Sequence, residues 1–194
     1  MNNSDIITFF DKEASSWDER QIRNEHAINE ILDMGAITKG KTVLDVACGT
    51  GVLFDDYIKR NVKSVTGIDI SSNMVKIAKE NYKNTIIDVI CDDVITHNFN
   101  EKFDCVMVHN AFPHFKEPKK LIEKLVMILN SNGRLTIAHS MSRKEIDKCH
   151  EGKAHSVSIK LMDENSLADL MNSFIDVDTV ISDNEKYIVS GVKK

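Results

Sequence analysis

The chain has 194 residues, 42% of them hydrophobic and 28% charged, which indicates one globular domain, residues 1–194, with its own core. A formal net charge of -5 without basic runs argues against nucleic acid as a partner, and no apolar stretch is long enough to span a membrane. The first residues lack the order of a signal peptide, and the four cysteines lack CxxC spacing. We therefore expect a cytoplasmic protein with reduced thiols.

An N-terminal segment, residues 1–34, precedes the first predicted strand, and its apolar residues from Ser15 to Met34 lie near helical spacing. Short apolar runs and amphipathic runs then alternate along the chain. The apolar runs predict strands at residues 42–47, 64–70, 85–91, 103–109, 134–140, 175–181 and 186–192. The amphipathic runs predict helices at residues 51–61, 71–82, 117–130 and 163–174.

This alternation is typical of a doubly wound α/β fold: a Rossmann-like, mostly parallel seven-stranded sheet with helices on both faces. The last two strands are separated only by residues 182–185, which suits a hairpin and predicts an antiparallel last strand. In open sheets of this kind, ligands bind beyond the carboxyl ends of the strands. The residues that follow each strand are therefore the candidates for a site.

The first strand leads into a glycine-containing loop, "VLDVACGTGVLFDDY", from Val43 to Tyr57. A P-loop needs Lys and Ser or Thr after its glycines, but Val52 follows Gly51. A dinucleotide fingerprint needs a third glycine, and Phe54 occupies that place. Acidic residues also follow the first three strands, and carboxylates are poor neighbours for a pyrophosphate. They suit a cationic ligand that carries ribose hydroxyls and an amino group.

In this order and spacing, "VLDVACGTG", "GIDIS" and "CDDV" resemble the class I S-adenosylmethionine-dependent methyltransferases. "FDCVMVHNAFPHF" and "LNSNGRLTIAHS" are similar to the fourth and fifth strand regions of that family. "FFDKEASSWDE" resembles the segment that small-molecule members place over the cofactor, so the resemblance covers nearly the whole chain. One departure is Ala47, where the family usually has glycine. Alanine is small, and we expect it to be tolerated.

The resemblance implies S-adenosylmethionine as cofactor and S-adenosylhomocysteine as product. Gly49 and Gly51 would let the backbone approach the methionine part, and Asp45 would hold its amino group. Asp69 would accept hydrogen bonds from both ribose hydroxyls, and Asp92 would accept one from the adenine amino group. The further positions implied for cofactor contact are Trp17, Ala47, Ile70, Met74, Asp93 and His109. For Met74 a plain core role competes with packing on adenine, and for Trp17 a core role competes with closing the site from above.

Histidines gather after the fourth and fifth strands and in residues 140–162, the segment predicted to cap the substrate. The candidates for catalysis are His109, His114, His139, Arg143 and His150. Three interpretations stay open. One or two histidines act as general base and substrate binder; His114, His139 and His150 bind a divalent metal; or they are ordinary loop residues.

We therefore predict a methyltransferase for a small-molecule acceptor. Alternatives are a methyltransferase for RNA or protein, and a non-catalytic cofactor-binding or metal-binding regulator with the same fold. A basic rim would favour RNA, and a blocked pocket would favour the regulator. Fold does not fix the acceptor atom.

Overall fold

The computed structural model describes residues 2–20, 22–151 and 155–194, except for the side chains of residues 149–151. The strands are β1 (Thr42–Val46), β2 (Ser64–Asp69), β3 (Ile87–Cys91), β4 (Phe103–His109), β5 (Leu129–His139), β6 (Asp176–Ser182) and β7 (Tyr187–Val192). The helices are α1 (Asn3–Glu13), α2 (Trp17–Arg20), α3 (Glu25–Met34), α4 (Phe54–Lys59), α5 (Ser72–Asn81), α6 (Pro118–Met127), α7 (Arg143–Glu151) and α8 (Glu164–Asn172).

The seven strands form one sheet in the order β3-β2-β1-β4-β5-β7-β6. Strands β1 to β5 are parallel, and β7 runs antiparallel to both β5 and β6. The predicted Rossmann-like fold with its antiparallel last strand is thus confirmed. The strand order reverses between β1 and β4, and Val46 pairs with Ile68 on one side and Val108 on the other. The carboxyl ends of β1, β2 and β4 therefore lie level at the switch point.

Side chains of the central strands alternate between two buried layers. Val43 packs with α3, α4 and α5 on one face of the sheet, and Leu44 packs with α6 and α8 on the other. This alternation follows from the two-residue period of a strand, and it explains why the central strands are apolar throughout. Within the residues that the structure describes, no helix has the length and apolarity needed to cross a lipid bilayer.

Two predicted elements differ most from the structure. The helix expected from Ser15 to Met34 is divided, because the Asn24 side chain accepts a hydrogen bond from the Ala27 amide at 3.1 Å and starts α3 afresh. The strand expected to start at residue 134 starts at Leu129 instead. The register between β4 and β5 shifts between Phe103 and Cys105. This irregularity lets the polar residues 130–133, which from the sequence look like the end of a helix, form part of β5.

Candidate functional site

A cavity of about 290 Å³ lies over the carboxyl ends of β1, β2 and β4. Eleven of the positions singled out from the sequence line it: Trp17, Asp45, Ala47, Gly49, Asp69, Ile70, Met74, Asp92, Asp93, His109 and His114. Gly51, His139 and Arg143 are not among the lining residues. Strand-end position therefore places most of the predicted residues in one cavity.

The N-terminal segment forms the roof of this cavity. Phe10 packs edge-on against Trp17, with ring centroids 5.6 Å apart, and against His114 at 5.0 Å. The Asp11 carboxylate accepts hydrogen bonds from the Ser71 hydroxyl at 2.6 Å and the Asn73 amide at 3.0 Å. These bonds fasten α1 to the first turn of α5, where a negative charge is favoured by the helix dipole. Phe10 and Asp11 were missed from the sequence, because nothing local shows which face of α1 points inward.

Asp69 links the ends of β1 and β2. Its two carboxylate oxygens accept hydrogen bonds from the Gly49 amide and the Ser71 amide, both at 2.8 Å. Burial raises the pKa of Asp69, and these two amide donors oppose the rise. An ionised carboxylate can accept about four hydrogen bonds, so the side chain can accept a further donor from the cavity.

The two loop glycines have different surroundings. Gly49 has φ +56°, and the nearest atom to a Cβ placed on it would be Trp17 Nε1 at 4.0 Å, so its backbone is open toward the roof. Gly51 has φ +94°, and a Cβ there would come within 2.5 Å of the Phe54 ring. Gly49 therefore offers bare backbone toward the cavity, whereas Gly51 makes room for Phe54.

Ala47 adopts the left-handed backbone conformation, with φ +55°. The expectation that alanine is tolerated there considered only its size. The conformation itself costs a residue with a Cβ about 1–2 kcal/mol relative to glycine. Glycine is favoured at this position because of the left-handed backbone angle, and not because the surrounding space is small.

Burial favours the neutral forms of two side chains that line the cavity, Asp45 and His109. Burial raises the pKa of Asp45 to about 8; the neighbouring Tyr57 hydroxyl opposes this, and the charge of Asp69 adds to it. Burial, aided by the positive charge of Arg23, lowers the pKa of His109 to about 4. The Nε2 atom of His109 is buried without a hydrogen-bond partner among the described residues. At neutral pH, Asp45 is thus largely protonated and His109 is neutral.

Two of the other candidates for catalysis, His139 and Arg143, do not line the cavity. His139 is buried against the Tyr187 ring, with centroids 6.0 Å apart, and His155 is exposed. Arg143 lies 3.7 Å from the Glu164 carboxylate. The side chain of His150 falls outside the described residues. Across residues 2–20, 22–148 and 155–194, no group of three or more His, Cys, Asp or Glu side chains is placed to hold a metal.

The sequence and the fold are similar to those of known methyltransferases. Residues 44–137 match the family model described as a methyltransferase domain. Over 132 residues, 66% of this chain, the sequence is 29% identical to the malonyl-[acyl-carrier protein] O-methyltransferase of Acetivibrio thermocellus. It is 24% identical over 143 residues, 70% of this chain, to the ubiquinone biosynthesis O-methyltransferase of Coxiella burnetii. The chain spans 47% and 61% of the lengths of these two relatives.

Two solved structures share the fold over nearly the whole chain. One is a chain of the complex between the Haloferax volcanii Trm112 methyltransferase activator and a methyltransferase, with TM-score 0.81, 16% identity and coverage of 95% of this chain and 97% of that one. The other is the N-methyltransferase NodS of Bradyrhizobium japonicum WM9 with S-adenosyl-L-homocysteine, with TM-score 0.77, 12% identity and coverage of 100% and 99%. At these identities the likeness shows the fold.

Proposed function

Because the chain belongs to the class I S-adenosylmethionine-dependent methyltransferases, we propose that it transfers a methyl group from S-adenosylmethionine to a small-molecule acceptor. The observation that carries this proposal is the cavity at the switch point, where Asp69 holds the Gly49 amide beside an open stretch of backbone. A blocked pocket would have favoured a non-catalytic regulator, and this cavity is not blocked.

The residues present fit the cofactor. Asp69 has lone pairs left for ribose hydroxyls, and the bare backbone of Gly49 gives room for the methionine part. Asp45 is buried beside this loop, and a cationic amino group would offset the desolvation that raises its pKa. The bound cofactor supplies an electrophilic sulfonium methyl group. The chain supplies alignment of the acceptor and exclusion of water.

The acceptor lies, on this proposal, between the roof and His109. Phe10 and Trp17 line this part of the cavity with aromatic rings packed edge-on against each other. His109 has a buried, unpartnered Nε2 among the described residues, so it can donate to or accept from one acceptor atom. Its pKa of about 4 makes it a weak base at neutral pH. His109 therefore orients the acceptor by hydrogen bonding more than it removes a proton.

Asp69→Ala tests the cofactor site. The substitution removes two acceptors for ribose hydroxyls, and we expect S-adenosylhomocysteine affinity to fall by about 1.5–3 kcal/mol in calorimetry. Asp88→Ala is the matched control, because Asp88 is an exposed carboxylate on β3 and does not line the cavity. If Asp69→Ala binds S-adenosylhomocysteine as tightly as the parent protein does, Asp69 does not bind the ribose.

The same variants test the acceptor class. Methyl-labelled S-adenosylmethionine is incubated with an extract separated into small molecules and macromolecules. We expect the parent protein and Asp88→Ala to label the small-molecule fraction, and Asp69→Ala to lose that labelling. Label confined to RNA or protein would replace the proposed acceptor with a macromolecule, and no label in either fraction would favour a regulator.

A further inference from the structure

His97 lies in the turn after β3 and is held from three directions. Its amide donates to the Asp93 carbonyl at 2.9 Å, and its own carbonyl accepts from Lys124 Nζ at 2.5 Å. Its ring packs edge-on against Phe99, with centroids 4.6 Å apart. The imidazole is therefore fixed in place, and it is not among the residues that line the cavity.

The fixed ring holds one carboxylate that does line the cavity. His97 Nδ1 lies 2.8 Å from Asp92 Oδ2, and the other oxygen of Asp92 accepts from the Asp93 amide at 2.8 Å. The hydrogen bond from His97 is the main cause that lowers the pKa of Asp92. An ionised carboxylate only accepts hydrogen bonds, so Nδ1 carries the hydrogen.

The neighbouring acid has a different task. Asp93 accepts from the Ile95 amide at 2.9 Å and from the Asn3 side chain at 2.8 Å, so its two oxygens shape the turn and tie it to α1. Asp92 makes no hydrogen bond to the roof in the described part of the chain. Of the two acids in "CDDV", Asp92 is thus the one whose oxygens are set by His97 rather than by the N-terminal segment.

We propose that His97 is a positioning residue that holds Asp92 as an ionised acceptor for the amino group of the cofactor's adenine. This inference rests on the proposed function, since it needs the adenine in this cavity. A carboxylate that can only accept distinguishes adenine, which presents an amino donor, from a 6-oxo purine, which presents an acceptor. His97 then contributes to base selectivity through Asp92 without touching the cofactor.

The test compares two ligands, S-adenosylhomocysteine and S-inosylhomocysteine, by calorimetry. In His97→Phe we expect about tenfold weaker binding of the adenosyl ligand, the size of one lost charge-assisted hydrogen bond, and little change for the inosyl ligand. In His97→Gln the side-chain amide can still donate to Asp92, so we expect part of the selectivity to return. His26→Phe is the control, because His26 is exposed on α3 and lies outside the cavity lining.

The outcomes distinguish failure of the positioning role from failure of the proposed function. If the parent protein does not bind S-adenosylhomocysteine, the proposed function fails. If the parent binds it but His97→Phe keeps the same adenosyl-to-inosyl ratio, the positioning role fails. Equal losses for both ligands in the Phe and Gln variants would mean that His97 supports the turn as a whole and not base selectivity through Asp92, which also overturns the proposal.

Discussion

The cavity has two halves, and burial shifts the pKa of one group in each half in opposite directions. The carboxylate half consists of Asp45, Asp69, Asp92 and Asp93 at the ends of β1, β2 and β3, and the imidazole half consists of His109 and His114 after β4. Burial raises the pKa of Asp45 and lowers that of His109. Burial thus favours the neutral form of both groups, an acid in one half and a base in the other. Asp45 and His109 should therefore change stability with opposite slopes between about pH 4 and 6.5: stability falls with rising pH through Asp45 and falls with falling pH through His109.

Asp45→Asn gives the largest expected effect. The pKa of Asp45 is raised, so its contribution to stability is fully present below its ordinary value of 3.8 and is lost as pH rises through about 8. Asparagine keeps the shape without the charge. We expect the variant to match the parent near pH 4 and to exceed its free energy of unfolding by up to about 5 kcal/mol above pH 8.

Urea unfolding of the cofactor-free protein across this pH range measures the difference. Asp88→Asn is the control, because its carboxyl is exposed on β3. Parallel curves for the parent and Asp45→Asn would show that Asp45 is ionised in the folded protein at neutral pH, and the contrast between the two halves would be lost.

His109→Phe probes the other half. The pKa of His109 is lowered from 6.5 to about 4, so in this interval the unfolded chain takes up a proton that the folded protein does not. The parent therefore loses up to about 3 kcal/mol as pH falls from 6.5 to 4, and phenylalanine abolishes this loss. Denaturant titrations at several pH values, with His155→Phe as an exposed control, measure the difference between the curves. A constant difference would mean that His109 titrates as an exposed histidine does.

The acids that line the cavity could be predicted from the sequence more reliably than its histidines, because His109 and His114 line the cavity but the equally plausible His139 does not. Parallel strands bring their carboxyl ends to one edge, so an acid that follows β1 or β2 reaches the cavity whatever the loops do. His139 also ends a strand, but β5 lies one strand farther from the switch point, and its side chain packs on Tyr187 of β7. That packing depends on the antiparallel register of β7, which the local sequence around His139 does not show.

The fold itself could be predicted almost completely, because seven apolar runs and their order determine a doubly wound sheet. What could not be predicted depends on tertiary contacts. His97 contacts Asp92 from a turn that also contacts Phe99 and the distant Lys124. Likewise, glycine is needed at position 51 because the Phe54 ring lies against it. The glycine pattern alone shows only that Phe54 stands where a dinucleotide fingerprint has its third glycine.

Beside each half, a non-glycine residue just after the strand has a left-handed backbone, and these two residues give the smallest predicted effect. Ala47 follows β1 with φ +55°, and Asn110 follows β4 with φ +53°. Asn110 compensates with its side chain, which accepts from the Ser140 amide at 3.0 Å and donates to the Ser140 hydroxyl at 3.2 Å. Ala47 has no side-chain polar group with which to compensate.

Glycine at each position should therefore change stability in opposite directions. Ala47→Gly relieves the left-handed strain, and we expect the free energy of unfolding to rise by about 1 kcal/mol. Asn110→Gly relieves less strain, because asparagine tolerates this conformation, and it removes both bonds to Ser140, so we expect a loss of about 1 kcal/mol. Urea midpoints measured side by side test both. Shifts of the same sign would show that the backbone angle alone decides the change in stability at these two positions, and that the hydrogen bonds between Asn110 and Ser140 do not.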